Sequence, residues 1–188
     1  MPPEVRKRLG VIDEIIIEEG QGADWSILAQ RGEHFHLGGG AILGTTAESV
    51  VRKSGKPVLV TPATYREIES MALAYDGSPP ADKALQLAAE LSEKAAWPLT
   101  VVTVSQNPSV SDRVCKQAET LLDDWMIDWE MIQLGGKEDR EILRFLRDGS
   151  VELLVMGAYG HNRLRQLLVG STTSQVIRKS PIPVLLTR

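Results

Sequence analysis

The chain is poor in cysteine. Cys115 stands alone among 188 residues, which excludes an intrachain disulfide framework and fits a reducing, cytoplasmic setting. It falls on an expected helix with no histidine near it, so a thiol nucleophile is not expected. Long apolar runs are missing too. Residues 1–20 offer only Ile15-Ile16-Ile17, hemmed in by acids, too little for a secretion signal or for membrane insertion. An excess of positive charge is also absent. The net charge is −4, which argues against a nucleic-acid or anionic-membrane surface. Aromatics make up 5% of the chain. Trp97, Trp125 and Trp129 are read as packing or rimming a core, not as a base-stacking platform. What remains, 43% hydrophobic and 24% charged, suits one ordinary globular domain, or one domain and a fragment.

One stretch carries chemistry. Residues 151–156 read as a buried parallel strand. Gly157-Ala158-Tyr159-Gly160 follows, and nine residues later Gly170-Ser171-Thr172 opens a helix over 171–179 with a good N-cap. Strand, glycine-rich loop and helix start in that order make a phosphate cradle. Glycines let the backbone approach an anion, and the free N–H groups of the helix start point at it. Arg163 and Arg165 lie in the loop and could also meet phosphates. The lysine of a strong NTPase loop is absent, because Gly170-Ser171 stands where Gly-Lys-Ser would be needed. His161 has no carboxylate placed to orient it as a base. The expectation is binding, with slow hydrolysis at most and no catalytic residue.

The chain also repeats itself. Residues 44–61 and 170–187 are identical at ten of eighteen positions, where chance gives about one. With a two-residue gap the match continues upstream, residues 23–32 lying against 151–160. The first copy departs where it matters. Ala29 replaces the first loop glycine, and eleven residues, not nine, separate Gly32 from Gly44. This copy is expected to bind no nucleotide by itself. Its Gly38-Gly39-Gly40 run reads as a loop, and His34 and His36, with no third ligand nearby, do not make a metal site.

Hydrophobic periodicity places helices over 11–19, 46–53, 81–94, 112–124, 138–147 and 171–179. Strands are placed over 24–28, 58–61, 68–75, 99–104, 129–134, 151–156 and 183–187. Strands alternating with helices argue for a parallel α/β sheet. Residues 1–62 form a partial unit, 63–66 a linker and 67–188 a complete one.

The second unit resembles the universal stress protein family. The resemblance rests on Asp76-Gly77-Ser78 after the first strand, on the Gly157, Gly160, Gly170-Ser171 spacing, and on the closing Ile182-Pro183-Val184-Leu185-Leu186. It covers 67–188 well and 11–62 as a degenerate copy. It implies an α/β fold: an open parallel five-stranded sheet of order 3-2-1-4-5, with helices on both faces, preceded by a partial repeat of the same unit. In the ATP-binding branch the nucleotide lies across the carboxyl ends of the first and fourth strands, where strand order reverses.

The resemblance also implies roles for single residues. Asp76 would accept hydrogen bonds from base or ribose. Ala74 and Val104 would line the base pocket, and Met156 and Gly157 would lie under the nucleotide. Gly160, His161, Gly170, Ser171 and Thr172 would wrap the phosphates, with Mg²⁺ or Mn²⁺ accompanying ATP. A half-unit of two strands leaves an open edge and must pack on something. Residues 57–60 are expected to meet 183–186, within the chain or between chains in a homodimer. The reading is therefore an ATP-binding, nucleotide-responsive stress regulator with an unidentified protein partner. The competing readings are a non-nucleotide or AMP-binding interaction protein acting on a transporter or kinase, and a hydrolase or phosphotransferase.

Overall fold

The computed structural model describes residues 3–30, 45–149, 151–158 and 171–188. Along these residues run α1 (Ile12–Gly20), β1 (Ser26–Ala29), α2 (Thr45–Lys53), β2 (Val58–Thr61), β3 (Met71–Ala74), α3 (Pro79–Ala95) and β4 (Leu99–Val104). They are followed by α4 (Pro108–Leu122), β5 (Trp129–Leu134), α5 (Glu138–Arg147), β6 (Leu153–Gly157), α6 (Ser171–Lys179) and β7 (Val184–Thr187). The strands form one sheet in the order β1-β2-β7-β6-β3-β4-β5. Every neighbouring pair is parallel except β2 with β7. Strands β3 to β7 run parallel in the order β5-β4-β3-β6-β7, the expected 3-2-1-4-5, and β1 and β2 of the first unit extend them across β7 into a single mixed sheet of seven strands. The physical reason is edge satisfaction: β2 and β7 each carry a row of unpaired N–H and C=O groups that pair with one another. Of the two routes open to residues 57–60, the structure takes the one within the chain.

The seam has a local two-fold. Leu59 lies beside Leu185, Val58 beside Leu186 and Val60 beside Val184. The sequence alignment makes Val58 the counterpart of Val184, and Val60 that of Leu186, so the axis passes through the Leu59–Leu185 pair. Away from the seam the pairing is alike on both sides. Ser26 sits beside Val58 and Ala29 beside Thr61, while Leu154 sits beside Val184 and Gly157 beside Thr187. The turns after α2 and α6 also match. Ser54 Oγ donates to the Lys56 carbonyl at 2.8 Å, and Ser180 Oγ donates to the Ile182 carbonyl at 2.6 Å.

Helices cover both faces. On one face α1, α2, α5 and α6 enclose a core that includes Val50, Leu143, Val176, Val60 and Leu186. On the other, α3 and α4 enclose Leu73, Leu85, Ala88, Val101, Val155 and Leu185. Val155 and Leu185 are fully buried, and each such side chain contributes about 1.5–3 kcal/mol by leaving water. The sheet-facing stripe of α3 is small (Ala81, Ala84, Ala88, Ala89), so the helix approaches the strands closely. Ser78 caps it, its Oγ accepting from Ala81 N at 3.3 Å, and Pro79 and Pro80 occupy the first turn. The helix α4 begins at Pro108, ahead of the expected residue 112. Asn107 caps it there, its Oδ1 accepting from Ser109 N at 3.0 Å, and proline suits the first turn. β3 is shorter than its apolar stretch, four residues in place of 68–75.

Candidate functional site

The site is built where connection order reverses. From β3 the chain passes through α3 to β4 on one side, and β6 joins β3 on the other. In parallel α/β sheets the crevice outside the carboxyl ends of such strands takes ligands. Ala74, the last residue of β3, lies beside Val102 and Met156, and Val104, the last of β4, lies beside Leu134. Met156 is buried, whereas Ala74, Val104 and Leu134 are partly buried and pack on the same core face. Together they make an apolar wall at the sheet's end. Leu134 was not singled out from the sequence. Its signal was the shared terminal position of two strands, visible only once β4 and β5 are paired in register.

The turn after β3 is fixed from below. Asp76 is exposed, and its Oδ1 accepts from Ser78 N at 3.0 Å, a short polar turn of the kind aspartate favours. Gly77 takes φ 74°, a conformation costly for residues with a Cβ. Under the turn, Tyr75 Oη donates to Asp82 Oδ1 at 2.5 Å, and Gln117 Nε2 donates to the same oxygen at 3.0 Å and to the Gly77 carbonyl at 3.4 Å. Burial of Tyr75, reinforced by Asp82 and then Asp76, pushes its phenol well above the ordinary tyrosine range. It therefore stays a neutral donor, and α3 and α4 together hold the turn that presents Asp76. Sequence reasoning missed this trio, because Gln117 comes from a different helix.

Gly157 is placed by packing. A Cβ there would lie 2.6 Å from the Pro80 carbonyl carbon, 2.7 Å from Ala81 N and 2.9 Å from Pro80 O. The start of α3 therefore occupies the space that a side chain would need. This alters the motif's meaning, since its first glycine is required by the fold with or without an anion. The counterpart Ala29 is exposed on a strand that no described helix crosses on that face, so a Cβ is tolerated there.

The N-terminus of α6 stands at the same end of the sheet, because α6 returns from the carboxyl end of β6 to the start of the parallel strand β7. Thr172 is half-buried and Thr173 buried in its first turn. The structure thus places Ala74, Asp76, Val104, Met156, Gly157 and the Ser171–Thr172 helix start at the carboxyl end of the sheet. Gly160, His161 and Gly170 lie outside the described residues, as do Arg163, Arg165, His34, His36 and the Gly38-Gly39-Gly40 run. Among the described residues no three His, Cys, Asp or Glu come together to hold a metal. No helix among the described residues is long and apolar enough to cross a membrane.

The profile of the Universal stress protein family matches residues 67–188. The chain is 40% identical over 164 residues to the universal stress protein Slr1230 of Synechocystis, a match covering 86% of the chain and 57% of that relative. It therefore spans little more than half of that relative's length. A universal stress protein structure from Archaeoglobus fulgidus superposes with a TM-score of 0.74 at 23% identity, over 94% of this chain and 64% of that one. A second structure from Archaeoglobus fulgidus, a complex with dAMP, superposes with a TM-score of 0.52 at 20% identity, over 63% of this chain and 97% of that one.

Proposed function

The chain belongs to the universal stress protein family, and we propose that it serves as an adenine-nucleotide-binding regulator that takes ATP and hydrolyses it slowly at most. One observation carries the reading. An apolar wall of Ala74, Val104, Leu134 and Met156, an exposed carboxylate at Asp76, and a helix start at Ser171 lie at the carboxyl end of the sheet, where connection order reverses. The wall suits a purine ring, Asp76 accepts from ribose or base donors, and the first turn of α6 meets phosphate oxygens. Gly160, His161, Gly170 and Thr172 complete the phosphate end in this reading, and Mg²⁺ or Mn²⁺ enters with the triphosphate. The related fold that holds dAMP supports an adenine ligand. Residues 1–62, lacking an Asp76 counterpart, bind no nucleotide.

The proposed regulation is a population shift. A nucleotide that prefers one arrangement of the loop between β6 and α6 changes the surface offered to a protein partner. The test is titration calorimetry with ATP and, separately, AMP, on wild type, Asp76→Ala and Gly160→Trp. Binding by wild type that both variants weaken supports the reading, and absence of heat with wild type sinks it. Tighter binding of AMP would reassign the ligand. A second reading, an interaction protein that binds no nucleotide, draws on the packing of Gly157 against Pro80 and Ala81, which explains that glycine without any ligand. It predicts wild type silent with both nucleotides.

A further inference from the structure

A chain of hydrogen bonds runs from α4 to the exposed carboxylate of Asp76, and it passes through one peptide group. That group joins Gly77 to Ser78 and is bonded at both ends. Its N–H, on Ser78, donates to Asp76 Oδ1 at 3.0 Å. Its C=O, on Gly77, accepts from Gln117 Nε2 at 3.4 Å. The side-chain amide has a second N–H on the same nitrogen, and Asp82 Oδ1 accepts it at 3.0 Å. Asp82 also accepts from the buried Tyr75 hydroxyl at 2.5 Å. The shorter bond, to a carboxylate, is the stronger one and aims the amide at the Gly77 carbonyl. Gly77 is where such a hold matters. It sits at φ 74°, and a glycine occupies several backbone conformations of similar energy. The peptide that follows it can turn over unless something fixes its carbonyl. Packing agrees with the bonds: a Cβ on Gly77 would lie 3.1 Å from Gln117 Oε1 and 3.4 Å from a Val114 methyl, so α4 lies directly against the turn.

We propose that Gln117 is a positioning residue for the nucleotide, acting through the Gly77–Ser78 peptide to hold Asp76 in the orientation that accepts the ligand. The inference rests on the nucleotide site proposed above and names a residue that sets its affinity. Gln117 does its work without touching the ligand. A carboxylate already fixed on its turn loses little freedom when it binds, whereas a loose one must first be ordered. Bonds in series through one peptide also polarise each other. The residue type fits the task. Leucine would fill the same space without a donor, and glutamate would set a second carboxylate beside Asp82. The bonds within the segment, such as Ser78 Oγ with Ala81 N, start α3 but leave the Gly77 carbonyl to α4. Coupling of this kind is reciprocal. A ligand that favours the held Asp76 also strengthens the contact of the turn with α4. That helix is then a second route, besides the loop between β6 and α6, by which occupancy reaches the surface.

The experiment joins ATP calorimetry to amide hydrogen exchange followed by NMR, both on the full chain. The variants are Gln117→Leu, Asp76→Ala and the two combined, with circular dichroism to check that each folds. Loss of the amide should weaken ATP binding about three- to tenfold. It should also speed exchange of the Ser78 amide in the unliganded protein, while amides inside β3 keep their rates. A residue that acts through Asp76 has nothing left to act on once Asp76 is gone, so the double variant should bind like Asp76→Ala alone. Undiminished binding by Gln117→Leu overturns the proposal, as does equal weakening with and without Asp76. Where Asp76→Ala by itself abolishes measurable binding, the Ser78 amide decides, and an unchanged exchange rate overturns the proposal. These failures leave the nucleotide site standing. A wild type silent toward ATP sinks the site itself, and this role of Gln117 with it.

Discussion

Replacing Gly157 by alanine puts one methyl group where the first turn of α3 already lies. The three nearest atoms are all backbone, at 2.6, 2.7 and 2.9 Å, so no side chain can swing aside. Ser78 and the two prolines fix that turn. Overpacking of this kind costs about 1–3 kcal/mol. Loss of glycine's freedom in the unfolded chain returns about 0.4–1 kcal/mol, leaving a net loss of about 0–2.6 kcal/mol, with about 1–2 kcal/mol at its centre. For a chain of this size each kcal/mol lowers Tm by about 2–4 °C, so a fall of about 2–8 °C is expected. The assay is urea and thermal unfolding without nucleotide, which separates packing from binding. The control is Ala29→Gly at the matching register position. There the methyl is unopposed, and its removal costs about 0.5–1 kcal/mol through chain entropy. Thus alanine is the better residue at 29 and the worse one at 157. A Gly157→Ala protein as stable as wild type would refute the argument that α3 dictates this glycine.

Two further outcomes follow from contacts of the first sixty residues. Asp13 accepts from Ser49 Oγ at 2.5 Å and Lys53 Nζ at 2.9 Å, and these contacts, the hydroxyl first, hold its carboxyl at about 2 against an ordinary value of 3.8. The folded value is the lower one, so the tie between α1 and α2 is complete above about pH 4 and is lost as pH falls towards 2. Titration of the Asp13 carboxyl by NMR should show a midpoint near 2, and a midpoint near 3.8 would contradict the geometry. Gln30 is buried, and its Nε2 donates to the Ile177 carbonyl at 2.6 Å and the Ser180 carbonyl at 3.2 Å. Gln30→Leu leaves two acceptors without that donor and should cost about 1–3 kcal/mol in urea unfolding; unchanged stability would show that water replaces the amide.

Local signals were the legible ones. Apolar periodicity located every strand and helix of the described residues to within a few positions, because each element buries one stripe or one face. The errors are local too. The start of α4 was placed past its Asn107-Pro108 cap, and β3 was drawn too long through an apolar stretch that outruns its pairing. The internal repeat made the β2–β7 encounter legible, but a seam within one chain and a seam between two chains look the same in sequence. The least legible features join segments far apart. Gln117 of α4 braces the turn that carries Asp76, and Leu134 continues a wall begun by Ala74 and Val104. The role of Gly157 was hidden for the same reason, since a glycine beside a helix start and a glycine beside a phosphate leave the same letter.

The seam also explains how a unit of two strands and two helices stays folded. Alone it would leave two sheet edges and one face in water. Pairing β2 with β7 removes one of the edges, and the helix ends at the seam are satisfied across it. Gln30 of the first half caps the end of α6, while the Arg188 guanidinium, at the end of the second half, donates to the Arg52 carbonyl at the end of α2. Arg178 of α6 pairs with Glu48 of α2 at 3.2 Å, the carboxylate only 11% exposed. Carbonyls at a helix end need such partners wherever water is excluded. These contacts all bear on α6 or on its counterpart α2, and α6 is the helix whose first turn faces the candidate nucleotide crevice. Its two ends thus answer to different things: the first to a ligand in the proposed function, the last to the half-unit. The first half need bind nothing itself to matter to the site, because it fixes the end of the helix that the site begins.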